Sequence, residues 1–420
     1  MLFGKSRPLD CSVPKTATRC TNLGNETMQS NILFVTRSMG HAAVIAAGLF
    51  MSAVPLSAFA GETVNGFVDQ AQVQAEAQAH ETWRENVRQF APIEEGCHHA
   101  SYPNMKWEKV ECGAKSSYRS APRKIKHGDE KIFGGATPIS AQVDGNGTDY
   151  SIQAPSGSLI STAVGSFPSV TGVTSEKGVG VAAYNNGGNL GPNQYTLQLN
   201  TNMPQYPAGT ALCGGSAEGC ITWQQYIVTS DDPNSGTLSG TTDTFIQTWV
   251  FNYGVHRNGN ACPKGFNYDA PDSTSFGGSG NDCYGNSPSV VIAKQLPITS
   301  LASLKLSGSA TANGTDTVIT TYGTNAYSSS VKDSISNIAS GWTQAEFNVV
   351  GNAGGSQAAF NTGSSLTTKI AITDGSTTAP TCVGPSSGTT GESNNLTLGT
   401  CTASAGSSTT SPSIQFVQSN

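Results

Sequence analysis

The sequence predicts an all-β protein, an antiparallel β-sandwich of about eleven strands. Only 12% of the 420 residues are charged and 48 are glycine, a composition that argues against coiled coils and helical bundles. From residue 136 onward, short β-branched or aromatic runs alternate with turn clusters rich in Gly, Asn and Asp. The 22 Lys and Arg against 28 Asp and Glu leave a net charge of -6, so no positive field attracts phosphate backbones. We therefore expect no nucleic-acid partner.

Residues 1–60 are predicted to be an N-terminal extension that ends in a secretory signal peptide. An apolar run at 41–60 follows Arg37 and ends in the Ala-Phe-Ala sequence 58–60, a small-x-small pattern that signal peptidase cleaves. We expect a secreted protein, extracellular or periplasmic, that begins near Gly61 and has no membrane span after cleavage. Because the run begins late for a signal peptide, three translation starts stay open: Met1, Met28 and Met39.

Eight of the ten cysteines follow residue 60, and they fall into pairs that are close in sequence. This spacing in an exported protein predicts four local disulfides. The predicted pairs are Cys97–Cys112, Cys213–Cys220, Cys262–Cys283 and Cys382–Cys401. Each closed loop of this size stabilises the fold by roughly 2–4 kcal/mol. A zinc site would need tight C-x-x-C pairs, which the chain lacks, so we expect neither a metal nor a cofactor.

Residues 61–134 are predicted to form a separate region with ten Lys and Arg and eleven Asp and Glu, against seven and fifteen in the longer region 135–420. The Gln/Ala/Glu-rich stretch 64–90 carries sparse apolar residues and predicts a helix. A disulfide-closed knot follows at 97–112. The stretch 115–131 is basic and is interrupted by a proline, which indicates a linker. It is either a solvated tether or the cleavage site of a pro-segment.

Residues 135–420 are predicted to form the β-sandwich domain. Strands are predicted near 158–164, 167–173, 195–200, 221–229, 244–253, 289–294, 303–308, 316–322, 345–350, 367–373 and 413–418. Little helical pattern separates them, which favours antiparallel sheets. One short helical turn is predicted by the spacing of Val331, Ile335, Ile338 and Trp342.

Strand periodicity assigns alternate side chains to opposite faces of each predicted strand. Glu346 and Asn348 share a face with Val350, and the apolar residues between them are expected to point inward. Aromatic and amide groups together suit an extended peptide or a polysaccharide. Four residues are predicted to line a binding face of this kind: Gln224, Tyr226, Gln247 and Asn348.

Four segments carry a likeness to a known family: GSFPSVTGV (165–173), ITWQQYIV (221–228), TFIQTWVFNYG (244–254) and a stretch at 345–375 that begins AEFNVVGN. Their order resembles the glutamic peptidases of the eqolisin type, peptidase family G1. The resemblance implies a concanavalin-like pair of bent antiparallel sheets, secretion with a pro-segment, and peptide cleavage by a Gln/Glu dyad. In that dyad Glu activates water and Gln stabilises the oxyanion. The N-terminal part is instead similar to leaders of uncharacterised bacterial secreted proteins.

Carried over by this resemblance, the dyad Gln falls on Gln224 and the dyad Glu falls on Val350. A valine cannot activate water, and Glu346 lies about 13 Å away along the same strand. An acidic residue of the family's aromatic segment is replaced by Gln247. We therefore expect a non-catalytic binding or structural protein for an extended peptide or a polysaccharide. The alternative is an acid-active glutamic endopeptidase with Gln224 and Glu346 as a displaced dyad.

Overall fold

The computed structural model describes residues 70–116, 118–119, 148–179, 191–230, 240–255, 261–271, 276–352, 356–384 and 392–420. The predicted signal peptide and the boundary at 134/135 lie outside these ranges. The described residues belong to one compact unit, Phe67–Asn420, built mostly of antiparallel strands. The predicted all-β sandwich is thereby confirmed. No helix in the described ranges is both long and apolar enough to span a membrane.

The first layer is a nine-stranded sheet. Its strands, in spatial order, are β2 (Glu108–Val110), β1 (Gly96–Ser101), β16 (Asn325–Lys332), β15 (Thr315–Tyr322), β14 (Leu304–Ala310), β4 (Thr162–Thr171), β19 (Ser365–Thr373), β23 (Ser413–Ser419) and β22 (Thr397–Ser404). The second layer is a ten-stranded sheet. Its strands, in order, are β11 (Asn267–Pro271), β12 (Asn281–Asn286), β10 (Thr241–Tyr253), β9 (Cys220–Ser230), β7 (Tyr195–Thr201), β17 (Gln344–Gly351), β3 (Ser151–Gln153) and β20 (Thr381–Val383), with β13 (Val290–Lys294) on β10 and β8 (Gln205–Tyr206) on β9.

A small third sheet contains the remaining four strands of the described ranges. They are β21 (Ser393–Asn394), β18 (Gln357–Phe360), β5 (Glu176–Val179) and β6 (Gly191–Pro192). Its β18–β21 pair is the one parallel pair among the described strands.

The main hydrophobic core lies between the two large sheets and receives side chains from both. Ala345, Phe347 and Val349 point into it, as the period of two predicts. The ring of Phe347 lies 5.1 Å from the ring of Phe167. A Cβ at Gly165 would come within 2.1 Å of Phe347, so β4 needs glycine where this ring crosses it. Burial of a side chain of this size contributes roughly 1.5–3 kcal/mol.

Several strands absent from the sequence-based prediction, such as β12, β16 and β22, are rich in Ser, Thr and Asn. In β16, for example, three consecutive serines are buried, and Ser329 Oγ donates to the carbonyl of Pro288 at 2.7 Å. Hydrogen bonds to loops replace the hydrophobic pattern that would have marked this strand. The predicted strands at 158–164 and 167–173 are one continuous strand, β4, which pairs with β14 and β19 on its two sides.

The predicted helical turn at 331–342 is also corrected. Strand β16 continues to Lys332, and two 3-10 turns follow at Asp333–Ile335 and Ile338–Ser340. Asn337 has a φ of 50°, a left-handed conformation that interrupts any regular helix between the two turns.

The N-terminal region contains the predicted helix, α1 (Gln70–Gln89). Its Trp83 and Val87 are buried against Ala100 and Ala326. Strand β1 pairs with β16 over six residues and so belongs to the nine-stranded sheet. The disulfide-closed segment is therefore part of the sandwich in this structure.

All four predicted disulfides are present in the structure: Cys97–Cys112, Cys213–Cys220, Cys262–Cys283 and Cys382–Cys401. Cys382 lies on β20 and Cys401 on β22, so the last of these bonds connects the edges of the two large sheets.

Candidate functional site

Five polar side chains form a row across five neighbouring strands of the ten-stranded sheet. We call them the amide row: Glu346 (β17), Asn200 (β7), Gln225 (β9), Gln247 (β10) and Asn286 (β12). The strand register pairs each member with the next. Because neighbouring strands are 4.7–4.9 Å apart, the row is about 19 Å long. All five side chains are buried, with exposed fractions from 0% to 7%.

Strand periodicity explains why these polar groups share a face. Phe347, Leu199, Tyr226 and Ile246 alternate with members of the row and fill the core between the sheets. The row therefore lies on the opposite face of the sheet. Next to it on that face, Trp249 donates its ring N–H to Gln247 Oε1 at 2.9 Å.

A segment that lies between β2 and β3 in the chain covers one half of the row. We call Ser116, Tyr118 and Arg119 the inserted segment. Asn286 Nδ2 donates to the carbonyls of Ser116 and Tyr118 at 2.8 Å each. Gln247 Nε2 donates to the same Tyr118 carbonyl at 2.8 Å. These two members of the row thus bind main-chain oxygens of the inserted segment.

The side chain of Tyr118 is fully buried on this face. It packs with Ile227 and Phe245, with ring centroids of Tyr118 and Phe245 6.0 Å apart. Its hydroxyl accepts a hydrogen bond from Gln198 Nε2 at 2.9 Å. Arg119, which follows, forms an ion pair with Asp269 of β11. The face therefore holds an aromatic side chain, a phenol oxygen and a cation in addition to the main chain.

The other half of the row, Glu346, Asn200 and Gln225, is connected to the Tyr118 hydroxyl through Gln198. Asn200 Nδ2 donates to Glu346 Oε2 at 3.3 Å and to Gln198 Oε1 at 3.5 Å. Gln225 Nε2 donates to Gln198 Oε1 at 3.4 Å. Asn200 Oδ1 and Gln225 Oε1 have no hydrogen-bond partner in the described part of the chain.

The four predicted binding residues do not share one face. Gln247 belongs to the amide row, and Asn348 lies on the same face, where its Nδ2 donates to Thr148 Oγ1 at 3.3 Å. Gln224 and Tyr226 point the other way, and Gln224 Nε2 donates to the Tyr226 hydroxyl at 3.0 Å. The reason is the register, which pairs Gln247 with Gln225 and not with Gln224. The prediction that these four residues line one face was wrong. Their role in binding stays a prediction.

The displaced dyad of the peptidase alternative is not assembled either. Gln224 and Glu346 lie on opposite faces of the sheet, so one bound water cannot contact both. Val350, where the resemblance places the catalytic carboxylate, is buried with 1% of its surface exposed.

The carboxyl that does contact Gln224 belongs to Asp316 of β15. Asp316 lies beside Gln224, which acts to lower its pKa, and its Oδ2 accepts a hydrogen bond from Ser336 Oγ at 2.9 Å. Burial, and after it the charge of neighbouring Asp333, raise the pKa of Asp316 well above its ordinary value. Both carboxyls are buried, with 0% and 1% exposed. No local sequence pattern marks this pair, because its members lie on different elements.

In the described ranges, no cluster of three or more His, Cys, Asp or Glu side chains is placed to hold a metal ion. No protein-family model and no curated protein matches this chain. The candidate site consists of the amide row and the inserted segment bound on it.

Proposed function

We propose that the protein is a non-catalytic extracellular binding protein that recognises an extended polypeptide on its amide row. One observation carries this proposal: Gln247 and Asn286 donate their side-chain amides to main-chain carbonyls of the inserted segment. A side-chain amide that donates to a main-chain carbonyl does not discriminate between the side chains of its ligand. Other extended peptides can therefore make the same contacts. The tyrosine pocket adds preference for an aromatic residue.

A peptide is favoured over a polysaccharide because the bound groups are main-chain carbonyls. The likeness to peptide-cleaving eqolisins points to the same class of ligand. Two features argue against catalysis. Gln224 and Glu346 point to opposite faces of the sheet, and position 350 is a valine. An extracellular site of action is supported by the four disulfides and by the signal-like run at 41–60.

Binding of a labelled heptapeptide with the sequence of residues 113–119, Gly-Ala-Lys-Ser-Ser-Tyr-Arg, tests the proposal. In the wild-type protein the inserted segment already occupies the row. Tyr118→Ala removes its anchor, which raises the fraction of molecules with a vacant row. We expect saturable binding to the Tyr118→Ala full chain and at least about tenfold weaker apparent binding to the wild type, by fluorescence polarisation.

Tyr327→Ala, on the nine-stranded sheet, is the matched control and should bind as weakly as the wild type. Adding Gln247→Leu to Tyr118→Ala should abolish binding of the heptapeptide, because it removes a donor to the main chain. If no peptide binds to the Tyr118→Ala protein at millimolar concentration, the recognition function is refuted.

A further inference from the structure

Glu176, the first residue of β5, places a carboxyl group on the buried side of the small third sheet. Its side chain is 2% exposed, and neither carboxyl oxygen has a hydrogen-bond partner in the described part of the chain. Buried polar atoms are almost always hydrogen-bonded, so this group is an exception. The neighbouring cation, Lys177, is exposed on the other side of β5. A carboxylate buried here has no compensating charge, which favours the neutral acid.

The titratable groups that face Glu176 are tyrosines. Burial raises the pKa of Glu176 to about 8, and the main chain of Gln194 acts in the opposite direction. The pKa of Tyr195 on β7 is raised by burial, then by the charge of Glu176 and after it by Tyr322. Strands β6 and β18 carry no titratable side chain. None of these groups can neutralise the charge of Glu176 when it ionises.

A cavity of about 400 Å³ lies next to Glu176. Its wall includes Pro192, Ala359 and Phe360 together with residues 175–177. Close packing normally prevents a buried strand from moving, and the cavity leaves β5 without it on one side. The strand can therefore move and admit water to the carboxyl group without displacing the main core.

Hydrogen bonds hold the start of β5 more firmly than the rest of the strand. Asn361 Oδ1 accepts from the N–H of Thr174 at 2.8 Å and from the N–H of Ser175 at 3.0 Å. Beyond this point, β5 pairs with β18 over four residues and with the two-residue strand β6. Short sheets of this kind open more easily than central strands. Asn361 thus provides a fixed point about which β5 can move.

We propose that Glu176 is a pH-sensitive switch that controls the third sheet. While the carboxyl group is protonated, β5 stays closed over it. As the group ionises, β5 moves away and opens the cavity to solvent. This inference does not depend on the proposed peptide-binding function.

The direction of the switch follows from the pKa of Glu176 in the two states. In the open state the group has its ordinary pKa of 4.5, and in the closed state its pKa is about 8. The stabilisation of the closed state is complete below the lower value and is lost as the pH rises through the higher one. The equilibrium constant for opening therefore increases about tenfold per pH unit between these values and is constant above them.

Amide hydrogen exchange of the full-length wild type and of Glu176→Gln, at about pH 5.5 and about pH 7.5, tests the proposal. Each rate is divided by the intrinsic exchange rate at the same pH. Glutamine keeps the shape of the side chain and cannot ionise. In peptides that cover β5 and β18, protection of the wild type should fall at least about tenfold more than protection of Glu176→Gln. Glu108→Gln, which changes an exposed carboxylate on β2, should behave as the wild type.

A response that begins elsewhere, for example at Asp316, affects the wild type and Glu176→Gln alike, so the comparison isolates Glu176. Glu176→Asp keeps a carboxyl group and should retain the response to pH. Equal changes of protection in the wild type and in Glu176→Gln would overturn the switch. If Glu176→Gln does not fold, the wild type alone decides, because protection of β5 and β18 that is the same at both pH values also overturns it.

Discussion

Gln224 and Gln225 are adjacent in sequence but lie in different environments of the folded chain. Gln224 points between the sheets, where it contacts Asp316 and the hydroxyl of Tyr226. Gln225 points to the opposite face and joins the amide row. Because alternate residues of a strand face opposite ways, a shift of one position decides whether a glutamine belongs to the core or to the candidate site.

At this scale we predict that the purified full chain does not cleave peptide bonds between about pH 2 and pH 8. A water nucleophile needs a carboxylate and an oxyanion donor on the same side, and Glu346 and Gln224 do not meet that condition. Denatured casein incubated with the protein and analysed by mass spectrometry measures this. Cleavage that Glu346→Gln abolishes and Glu108→Gln preserves would show that the carboxylate is catalytic after all.

A second residue-scale prediction concerns Asp316. Its pKa is raised in the folded state, first by burial and then by Asp333, and Tyr226, Gln224 and Ser336 also face it. Its contribution to stability is complete below the unfolded pKa of about 3.9 and is lost as the pH rises through the folded pKa. Asp316→Asn should therefore be more stable than the wild type near pH 7.5, because an asparagine at this buried position does not have to ionise.

Urea denaturation at about pH 4 and about pH 7.5 measures this difference. The wild type should lose more stability between the two conditions than the Asp316→Asn protein. Asp374→Asn, a loop carboxylate, serves as the control and should behave as the wild type. An Asp316→Asn protein that is less stable than the wild type at both pH values contradicts the prediction.

At the level of elements, the N-terminal region and the sheets depend on each other. Strand β1 extends the nine-stranded sheet through β16, and the chain then continues from Cys112 to Gly113, whose N–H donates to the carbonyl of Ser289 at 2.8 Å. These contacts bring Tyr118 to the face of the ten-stranded sheet. Judged by amino-acid composition alone, region 61–134 is a domain separate from 135–420. Composition carries no information about strand pairing, so it does not show that β1 and β2 extend the nine-stranded sheet.

The disulfide between β20 and β22 gives the element-scale prediction. Cys382 and Cys401 are 19 residues apart and close a loop between the edges of the two sheets. The double change Cys382→Ala and Cys401→Ala should lower the free energy of unfolding by about 3 kcal/mol, chiefly because the unfolded chain gains freedom. Chemical denaturation under oxidising conditions measures it, with Thr402→Ala as a control. An unchanged free energy of unfolding would show that this bond does not constrain the unfolded chain.

For the whole molecule, the structure is a disulfide-linked sandwich with few charges, which agrees with a secreted protein. We predict that the protein isolated from the medium or periplasm begins near Gly61 and contains no free thiol. N-terminal sequencing and thiol titration under denaturing conditions measure the two properties. Recovery of the intact chain from the cytoplasm with reduced cysteines would refute export together with the role of the disulfides.

The amino-acid sequence predicts the all-β class, the four disulfide pairs and the inward faces of strands such as β17. These features depend on local spacing and on the period of two, which a single segment displays. The amide row exists only in the folded chain, since its five members come from five strands and meet through hydrogen-bond register. Long-range packing likewise places Tyr118 among them and Asp316 beside Gln224. Register and long-range packing join residues far apart in the chain, and no local pattern carries that information.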